Sequence, residues 1–148
     1  AEIVQIFDTW AGVLSNNHFQ QWVINPTKKI IKNIKKTHPN IPILGFPRGA
    51  GIRYMEFIKE TDVDGVSLDS GIPISWAAKN IQPKCAVQGN LDNTALVAGG
   101  AVMRKEIYAI LEGFSGGAHV FNLGHGILPQ TPPENVLNLI EIIHEWKR

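Results

Sequence analysis

The sequence has 148 residues, 44% of them hydrophobic and 18% charged, with a formal net charge of +1. This balance is typical of a globular chain of one domain, and it provides no overall field that would recruit nucleic acid or an anionic membrane. No apolar run is long enough to span a bilayer, and the lone Cys85 excludes an internal disulfide, so we expect a cytoplasmic protein.

Short β-branched runs alternate with amphipathic helical stretches along the chain. The first strand is predicted at residues 2–8, and Ser15 is a candidate N-cap for the helix that follows. A second helix is predicted from Pro26, which suits a first helical turn, to about Thr37. The side chains expected on its buried face are Ile30, Ile31 and Ile34.

The same alternation continues to the end of the chain. Further strands are predicted at residues 41–46, 65–69, 84–88 and 118–122. Further helices are predicted at residues 52–60, 74–80, 102–112 and 133–146. The last helix is expected to bury Val136, Leu139, Ile140 and Ile143. Five such β–α units predict a parallel sheet with helical crossovers.

Two architectures fit five consecutive β–α units. One is a free-standing open sheet of the flavodoxin type; the other is part of a (β/α)8 barrel, which needs eight units and about 250 residues. No linker rich in glycine, proline or serine divides the chain, so residues 1–148 are predicted to form one domain or one piece of a domain.

Polar side chains are concentrated directly after the predicted strands. In a parallel α/β protein these positions share the rim at the carboxyl ends of the strands, where such folds build active sites. The rim residues are Asp8, Thr9, Arg48, Asp69, Gln88, Asn90, Asp92, Asn122 and His125.

His125 is a candidate for chemistry because two flanking glycines let the backbone bring its imidazole close to a ligand. A loop histidine hydrogen-bonded to backbone is the competing interpretation. For Asp69, a ligand contact and a structural carboxylate that accepts loop amides fit the sequence equally well. Asn90 or Asp92 could instead cap a helix.

No cofactor motif accompanies these residues. Gly49–Gly51 lies between a strand and a helix, where it could cradle an anion, but it lacks the dinucleotide fingerprint and the nucleotide-phosphate loop. Cys85 alone cannot build a thiolate zinc site, and no arranged partner makes it a nucleophile.

Five sequence blocks resemble the uroporphyrinogen decarboxylase family, in that family's order and at compatible spacing. The blocks are residues 7–12 (FDTWAG), 46–49 (FPRG), 65–69 (GVSLD), 87–92 (VQGNLD) and 121–127 (FNLGHGI). The most specific pair is QGNLD with NLGHG. The resemblance covers essentially all 148 residues.

The resemblance implies a (β/α)8 barrel that works as a homodimer without metal or organic cofactor, and that binds its substrate in a cleft at the carboxyl rim. It implies decarboxylation of the four acetate side chains of uroporphyrinogen III to give coproporphyrinogen III, in haem biosynthesis. The matched blocks belong to the carboxyl-terminal half of that barrel, about five of its eight units. We therefore expect the amino-terminal half to be absent here and this piece to be inactive alone.

The resemblance also implies roles for individual residues. His125 matches the family's active-site histidine, which contacts a substrate carboxylate or assists proton transfer. Thr9 matches a position usually held by serine, and Arg48 stands where a basic residue is common and would pair with a carboxylate. The remaining predicted substrate contacts are Asp69, Gln88, Asn90 and Asn122. Arg53 and Arg104 lie in predicted helices and receive no role.

Two alternatives remain at this point. Corrinoid-dependent methyltransferases share the barrel and bind zinc through histidine and cysteine, but Cys85 has no neighbouring histidine in the sequence. A non-catalytic, flavodoxin-like binding module would be a monomer with both sheet edges protected. A segment of a barrel would instead expose apolar strand edges and helix faces.

Overall fold

In the computed structural model, which describes residues 1–147, five strands form one parallel sheet in the order β1-β2-β3-β4-β5. The predicted span 1–148 includes Arg148, which lies outside the described residues. The strands are β1 (Val4–Asp8), β2 (Ile43–Pro47), β3 (Gly65–Ser67), β4 (Ala86–Gln88) and β5 (His119–Val120).

The strand order decides between the two architectures. A flavodoxin-like sheet has the order 2-1-3-4-5, whereas this sheet runs strictly in sequence. Because right-handed crossovers between sequential parallel strands place every connecting helix on the same face, helices cover one face of the sheet and the other face carries none. This is the arrangement of consecutive units of a (β/α)8 barrel, and it confirms the predicted fold class.

Seven α-helices connect and flank the strands in the described part of the chain. They are α1 (Asn16–Phe19), α2 (Asn25–Thr37), α3 (Tyr54–Thr61), α4 (Ile74–Asn80), α5 (Asn93–Ala98), α6 (Gly100–Gly113) and α7 (Pro133–Glu145). Short 3-10 turns lie at Ala11–Val13 and Gly51–Arg53, and a π-helical turn lies at Gln20–Ile24.

The first two predicted helices are one continuous helical segment from residue 16 to residue 37. The π turn joins them, with the amide of Asn25 donating to the carbonyl of Gln20. This wider turn directly precedes Pro26, whose ring would clash with the carbonyl four residues earlier in a regular helix. Ser15 precedes the segment but makes no side-chain capping bond, so the prediction of two separate helices is wrong.

Two predicted helix faces are rotated slightly in the structure. On α2, Ile31 is buried, Ile34 is half-buried and Ile30 is 44% exposed. On α7, Ile142 is the buried residue and Ile140 is exposed. In each helix one predicted core residue is exposed to solvent, Ile30 on α2 and Ile140 on α7, so the buried face is turned from the one that the hydrophobic pattern suggested.

The open face and the outer strands leave apolar side chains uncovered. Phe7 on β1 is 68% exposed and Val120 on β5 is 47% exposed. Within residues 1–147, β1 and β5 each pair with one neighbour only. The exposed apolar surface predicted for a barrel segment is therefore present. No described helix is long and apolar enough to cross a membrane.

Asp64, just before β3, joins α2 to the sheet. Its Oδ2 accepts hydrogen bonds from the backbone amide of Ile43 at 2.8 Å and from Nζ of Lys35 at 3.0 Å. The same ammonium donates to the carbonyl of Ile41 at 2.8 Å. Partial burial alone would raise the pKa of Asp64, but the amide of Ile43 and the charge of Lys35 together lower it.

We expect Asp64→Asn to lower the free energy of unfolding at pH 7 by about 1 kcal/mol, because the carboxylate holds an amide as well as an ammonium. Because the folded-state pKa lies below the unfolded value, this stabilisation is present above the unfolded pKa and is lost as the pH falls through the folded pKa. Urea unfolding at pH 7 and at pH 2 measures both effects.

The matched control is Glu60→Gln, which removes the exposed Glu60–Lys28 pair at 3.3 Å. That change is expected to have almost no effect at either pH, because exposed pairs contribute little. A destabilisation by Asp64→Asn that persists at pH 2 would contradict the assigned role of the carboxylate charge.

Candidate active site

Two adjoining cavities lie at the carboxyl ends of the strands and share Thr9 and His125. The first, about 460 Å³, also contains Arg48 and Asp69. The second, about 270 Å³, opens over the inner sheet face and contains Gln88 and Asn122. We call the two cavities together the rim cleft. Six of the seven predicted site residues line it.

Arg48 offers a free cation to the rim cleft. Its backbone is fixed because its amide donates to the carbonyl of Asp8 at 3.1 Å and its carbonyl accepts from the amide of Gly12 at 2.9 Å. Among residues 1–147 its guanidinium has no hydrogen-bond or ion-pair partner. A half-buried, unpaired guanidinium suits a ligand carboxylate, which it can bind through two parallel N–H bonds.

Asp69 has the structural role that the sequence left open. Its Oδ2 accepts from the amide of Gly49 at 2.9 Å, and its Oδ1 accepts from the amide of Gly71 at 3.1 Å. The hydroxyl of the buried Tyr54 lies 3.5 Å from Oδ2 and donates to the carbonyl of Ser67 at 2.9 Å. Burial and the nearby carboxylate of Asp69 raise the pKa of Tyr54, so this phenol remains a donor. Asp69 thus joins the loops after β2 and β3.

Asn90 lies behind the rim cleft, not in it. It is 5% exposed, and its Nδ2 donates to the carbonyls of Asp69 at 3.0 Å and Ile72 at 2.9 Å. Asp92 caps α5, with Oδ1 accepting from the amide of Thr94 at 2.8 Å. The capping interpretation, which the sequence left open, holds for Asp92, and Asn90 supports the loop after β3.

The His125 loop is held against the loop after β4. The amide of Gly124 donates to the carbonyl of Leu91 at 2.7 Å, and Nδ2 of Asn93 donates to the carbonyl of Gly126 at 2.9 Å. Asn122 uses its own Oδ1 to accept from the amide of Leu123 at 2.8 Å. His125, between these anchors, is exposed in the rim cleft.

Arg53 organises the loop after β1, a role absent from the sequence-based analysis. Its guanidinium donates to the carbonyls of Leu14 at 2.6 Å and Gly12 at 2.9 Å, and it stacks over the ring of Phe19 at 4.4 Å. This loop carries Trp10, which lines the rim cleft. The sequence does not show that the turn carrying Arg53 contacts the loop after β1, so this role is visible only in the folded structure.

We expect Arg53→Met to lower the free energy of unfolding by about 2 kcal/mol. Three charge-assisted hydrogen bonds, to the carbonyls of Gly12, Leu14 and Ala50, and a cation–π contact are lost, and the carbonyls of Gly12 and Leu14 remain without donors. The control is Arg104→Met, the same change at an exposed position of α6. Urea unfolding of both variants measures the difference. Equal stabilities would show that the Arg53 contacts contribute nothing to the fold.

Two polar residues of the inner sheet face were not predicted. Gln5 on β1 and Ser67 on β3 are hydrogen-bonded to each other, with Nε2 of Gln5 donating to Oγ of Ser67 at 2.8 Å. Both also contact Gln88. The sequence contained one signal that could have identified them. Both residues lie in predicted strands, where alternate side chains point to the same face of the sheet.

No group of three or more histidine, cysteine, aspartate or glutamate side chains in residues 1–147 could hold a metal ion. Cys85 immediately precedes β4, at the opposite end of the sheet from the rim cleft. Burial raises the pKa of its thiol to about 11. The described residues therefore provide no zinc–thiolate site at the rim.

The family model and the curated relatives that match this chain carry the same family description. Residues 1–146 match the family described as uroporphyrinogen decarboxylase (URO-D). The chain is 52% identical over 143 residues to the uroporphyrinogen decarboxylase of Rhodospirillum rubrum, covering 97% of this chain and 41% of that protein. Identity to the Roseobacter denitrificans protein of the same name is 48%, covering 97% and 42%. The chain thus spans about two fifths of the length of these curated relatives.

A solved structure resembles the fold over nearly the whole chain. A methyltransferase from Methanosarcina mazei superimposes with a TM-score of 0.73, covering 98% of this chain and 42% of that one. At 21% sequence identity, this similarity concerns the fold alone.

Proposed function

Because the chain belongs to the uroporphyrinogen decarboxylase family, we propose that it supplies part of the active site of an enzyme that decarboxylates the four acetate side chains of uroporphyrinogen III, giving coproporphyrinogen III in haem biosynthesis. The observation that supports this proposal most directly is the rim cleft, in which the unpaired Arg48 guanidinium lies beside Thr9 and His125. Such a cleft suits a substrate that carries many carboxylates.

The proposed decarboxylation requires no covalent bond between substrate and protein. Protonation of a pyrrole ring carbon makes the ring an electron sink, and the C–CO₂⁻ bond of the acetate then breaks with its electron pair moving into the ring. A proton adds to the resulting methylene carbon to give a methyl group, and a ring proton is released. The protein has to bind the carboxylates, stabilise the cationic ring and move protons.

Three residues of the rim cleft have a role in this proposal. Arg48 would pair with a carboxylate that is not being lost, and the Thr9 hydroxyl would donate to a neighbouring one. His125, whose side chain is exposed in the cleft, would deliver or remove a proton at the reacting side chain. No metal or organic cofactor enters the proposal.

The complete active unit is proposed to be a cytoplasmic homodimer at the full length of the curated relatives, without a nucleic-acid or membrane partner. Exposed apolar side chains at the rim support association there. Trp10 is 70% exposed, Val13 is 74% exposed and Ile52 is 81% exposed. Large exposed apolar residues that lie together mark protein interfaces.

The proposal is tested with a full-length chimera, in which these 148 residues replace the matching segment of the Rhodospirillum rubrum relative. We expect the chimera to release carbon dioxide from uroporphyrinogen III and to accumulate coproporphyrinogen III, and the 148 residues alone to do neither. The unaltered relative is the positive control. A folded chimera without turnover would contradict the proposed function.

A further inference from the structure

A further cavity lies behind the rim cleft, between the loop after β3 and helix α6. Its volume is about 320 Å³, and its polar lining residues are Ser70, Asn90, Asp92 and Glu106. We call it the back cavity. It adjoins the rim cleft through Ser70, which lines both. The proposed decarboxylation assigns no task to these four residues, so the polar lining of the back cavity needs an explanation of its own.

Asn90 gives the back cavity an acceptor that no described residue satisfies. The residue is 5% exposed, and its Nδ2 donates to the carbonyls of Asp69 at 3.0 Å and Ile72 at 2.9 Å. A flipped amide would place its oxygen against these two carbonyl oxygens, so the orientation is fixed. Oδ1 of Asn90 is then buried without a hydrogen-bond partner among residues 1–147. Such an oxygen is costly unless a water molecule or an ion satisfies it.

Two carboxylates line the same cavity, and each has unpaired oxygens. Oδ1 of Asp92 accepts from the amide and the hydroxyl of Thr94 at 2.8 Å and 2.7 Å. Within residues 1–147, Oδ2 of Asp92 and the carboxylate of Glu106 have no hydrogen-bond or ion-pair partner. Burial and the charge of Asp92 raise the pKa of Glu106, and the charge of Lys105 offsets this only in part. The two carboxylates therefore repel each other without a cation between them.

We infer that the back cavity binds one Ca²⁺ ion, with Oδ1 of Asn90 and the carboxylates of Asp92 and Glu106 as protein ligands and water molecules as the remaining ligands. All three protein ligands are hard oxygens, which Ca²⁺ prefers. Oδ1 of Asn90 is sealed from water. A Ca²⁺–oxygen contact of about 2.3–2.6 Å is shorter than a water hydrogen bond of about 2.8 Å, so the ion can approach more closely.

The role of this ion would be structural, and it takes no part in the proposed decarboxylation. It would join the loop that Asn90 holds after β3 to the N-cap of α5 at Asp92 and to α6 at Glu106. Since the three ligands come together only in the folded chain, Ca²⁺ should raise Tm as its concentration rises. With only two carboxylates among the ligands, the site is expected to be weak.

The test is equilibrium dialysis of the chelator-treated full-length chimera against CaCl₂, without substrate, in about 0.1 M NaCl to screen non-specific attraction. We expect saturable binding with a dissociation constant of about 10⁻⁴ M, as for weak protein Ca²⁺ sites. Glu106→Gln and Asp92→Asn each remove one charged ligand and should each weaken binding about tenfold or more. Asparagine is as good an N-cap as aspartate, so Asp92→Asn preserves the start of α5.

The matched control is Glu112→Gln, the same change at an exposed position of α6, for which the affinity should not change. MgCl₂ should bind more weakly than CaCl₂, because Mg²⁺ demands a near-ideal octahedron. Three results would overturn the inference: no saturable Ca²⁺ binding, tighter binding of Mg²⁺, or equal affinities in Glu106→Gln, Asp92→Asn and Glu112→Gln. A chimera that binds Ca²⁺ but shows no turnover would contradict the proposed function and leave this inference standing.

Discussion

Replacing His125 by asparagine in the full-length chimera is expected to lower kcat by about 10²–10⁴-fold, the usual contribution of a positioned acid or base. Asparagine keeps a polar side chain of similar reach but cannot exchange a proton near neutral pH. The loop that holds His125 is fixed on both sides, by the amide of Gly124 donating to the carbonyl of Leu91 and by the side chain of Asn93 donating to the carbonyl of Gly126, so the backbone should not move. Steady-state release of carbon dioxide measures the loss.

The matched control is His18→Asn, the same change at an exposed position of α1. It should leave both kcat and KM unchanged. If His125→Asn raised KM and left kcat intact, His125 would be a carboxylate contact and not a proton carrier. If neither parameter changed, His125 would have no role in the reaction.

Replacing Gly124 by alanine is expected to lower the free energy of unfolding by about 3 kcal/mol, at the upper end of the usual cost of overpacking. A Cβ at this position would overlap the backbone nitrogen of Ser70 and lie 2.9 Å from its Cα. It would also lie 3.0 Å from the carbonyl carbon of Asp69. These are backbone atoms of a hydrogen-bonded loop, so they cannot move aside as a flexible side chain could.

Gly126→Ala provides the control within the same loop, because a Cβ there meets no atom within 4 Å. Urea unfolding should separate the two variants clearly, and Gly124→Ala should also lose activity as His125 is displaced. A Gly124→Ala chimera as stable as Gly126→Ala would show that the loops after β3 and β5 are not packed together as described.

The sequence predicted the positions of the strands and the residues at their carboxyl ends because both signals are local. Alternating β-branched runs and turn residues mark strands, and parallel strands must present their ends at one rim. It missed α5, which is short and lies between Asp92 and Gly99. It also divided one helical segment at Pro26, because a proline inside a helix is normally a stop signal.

The interactions inside the site could not be predicted from the sequence. Asp69 and Asn90 were both rim candidates, yet one joins two loops through Gly49 and Gly71 and the other lies behind the cleft. These roles depend on which loops meet across the sheet. Gln5 was overlooked for the same reason, since its partners are 62 and 83 residues away in the chain.

The sequence by itself thus determined the alternation of elements, the family resemblance and the set of polar residues at the strand ends, all of which are encoded within a few neighbouring residues. The tertiary structure decided the sequential strand order, which removed the flavodoxin-like alternative. It also decided which rim side chains already have partners. Asp69 accepts hydrogen bonds from two backbone amides, whereas the guanidinium of Arg48 has no partner among the described residues. The physical reason is that the hydrogen-bond partner of a buried polar group often lies in a distant segment of the chain, so a local sequence pattern cannot show whether that group is paired.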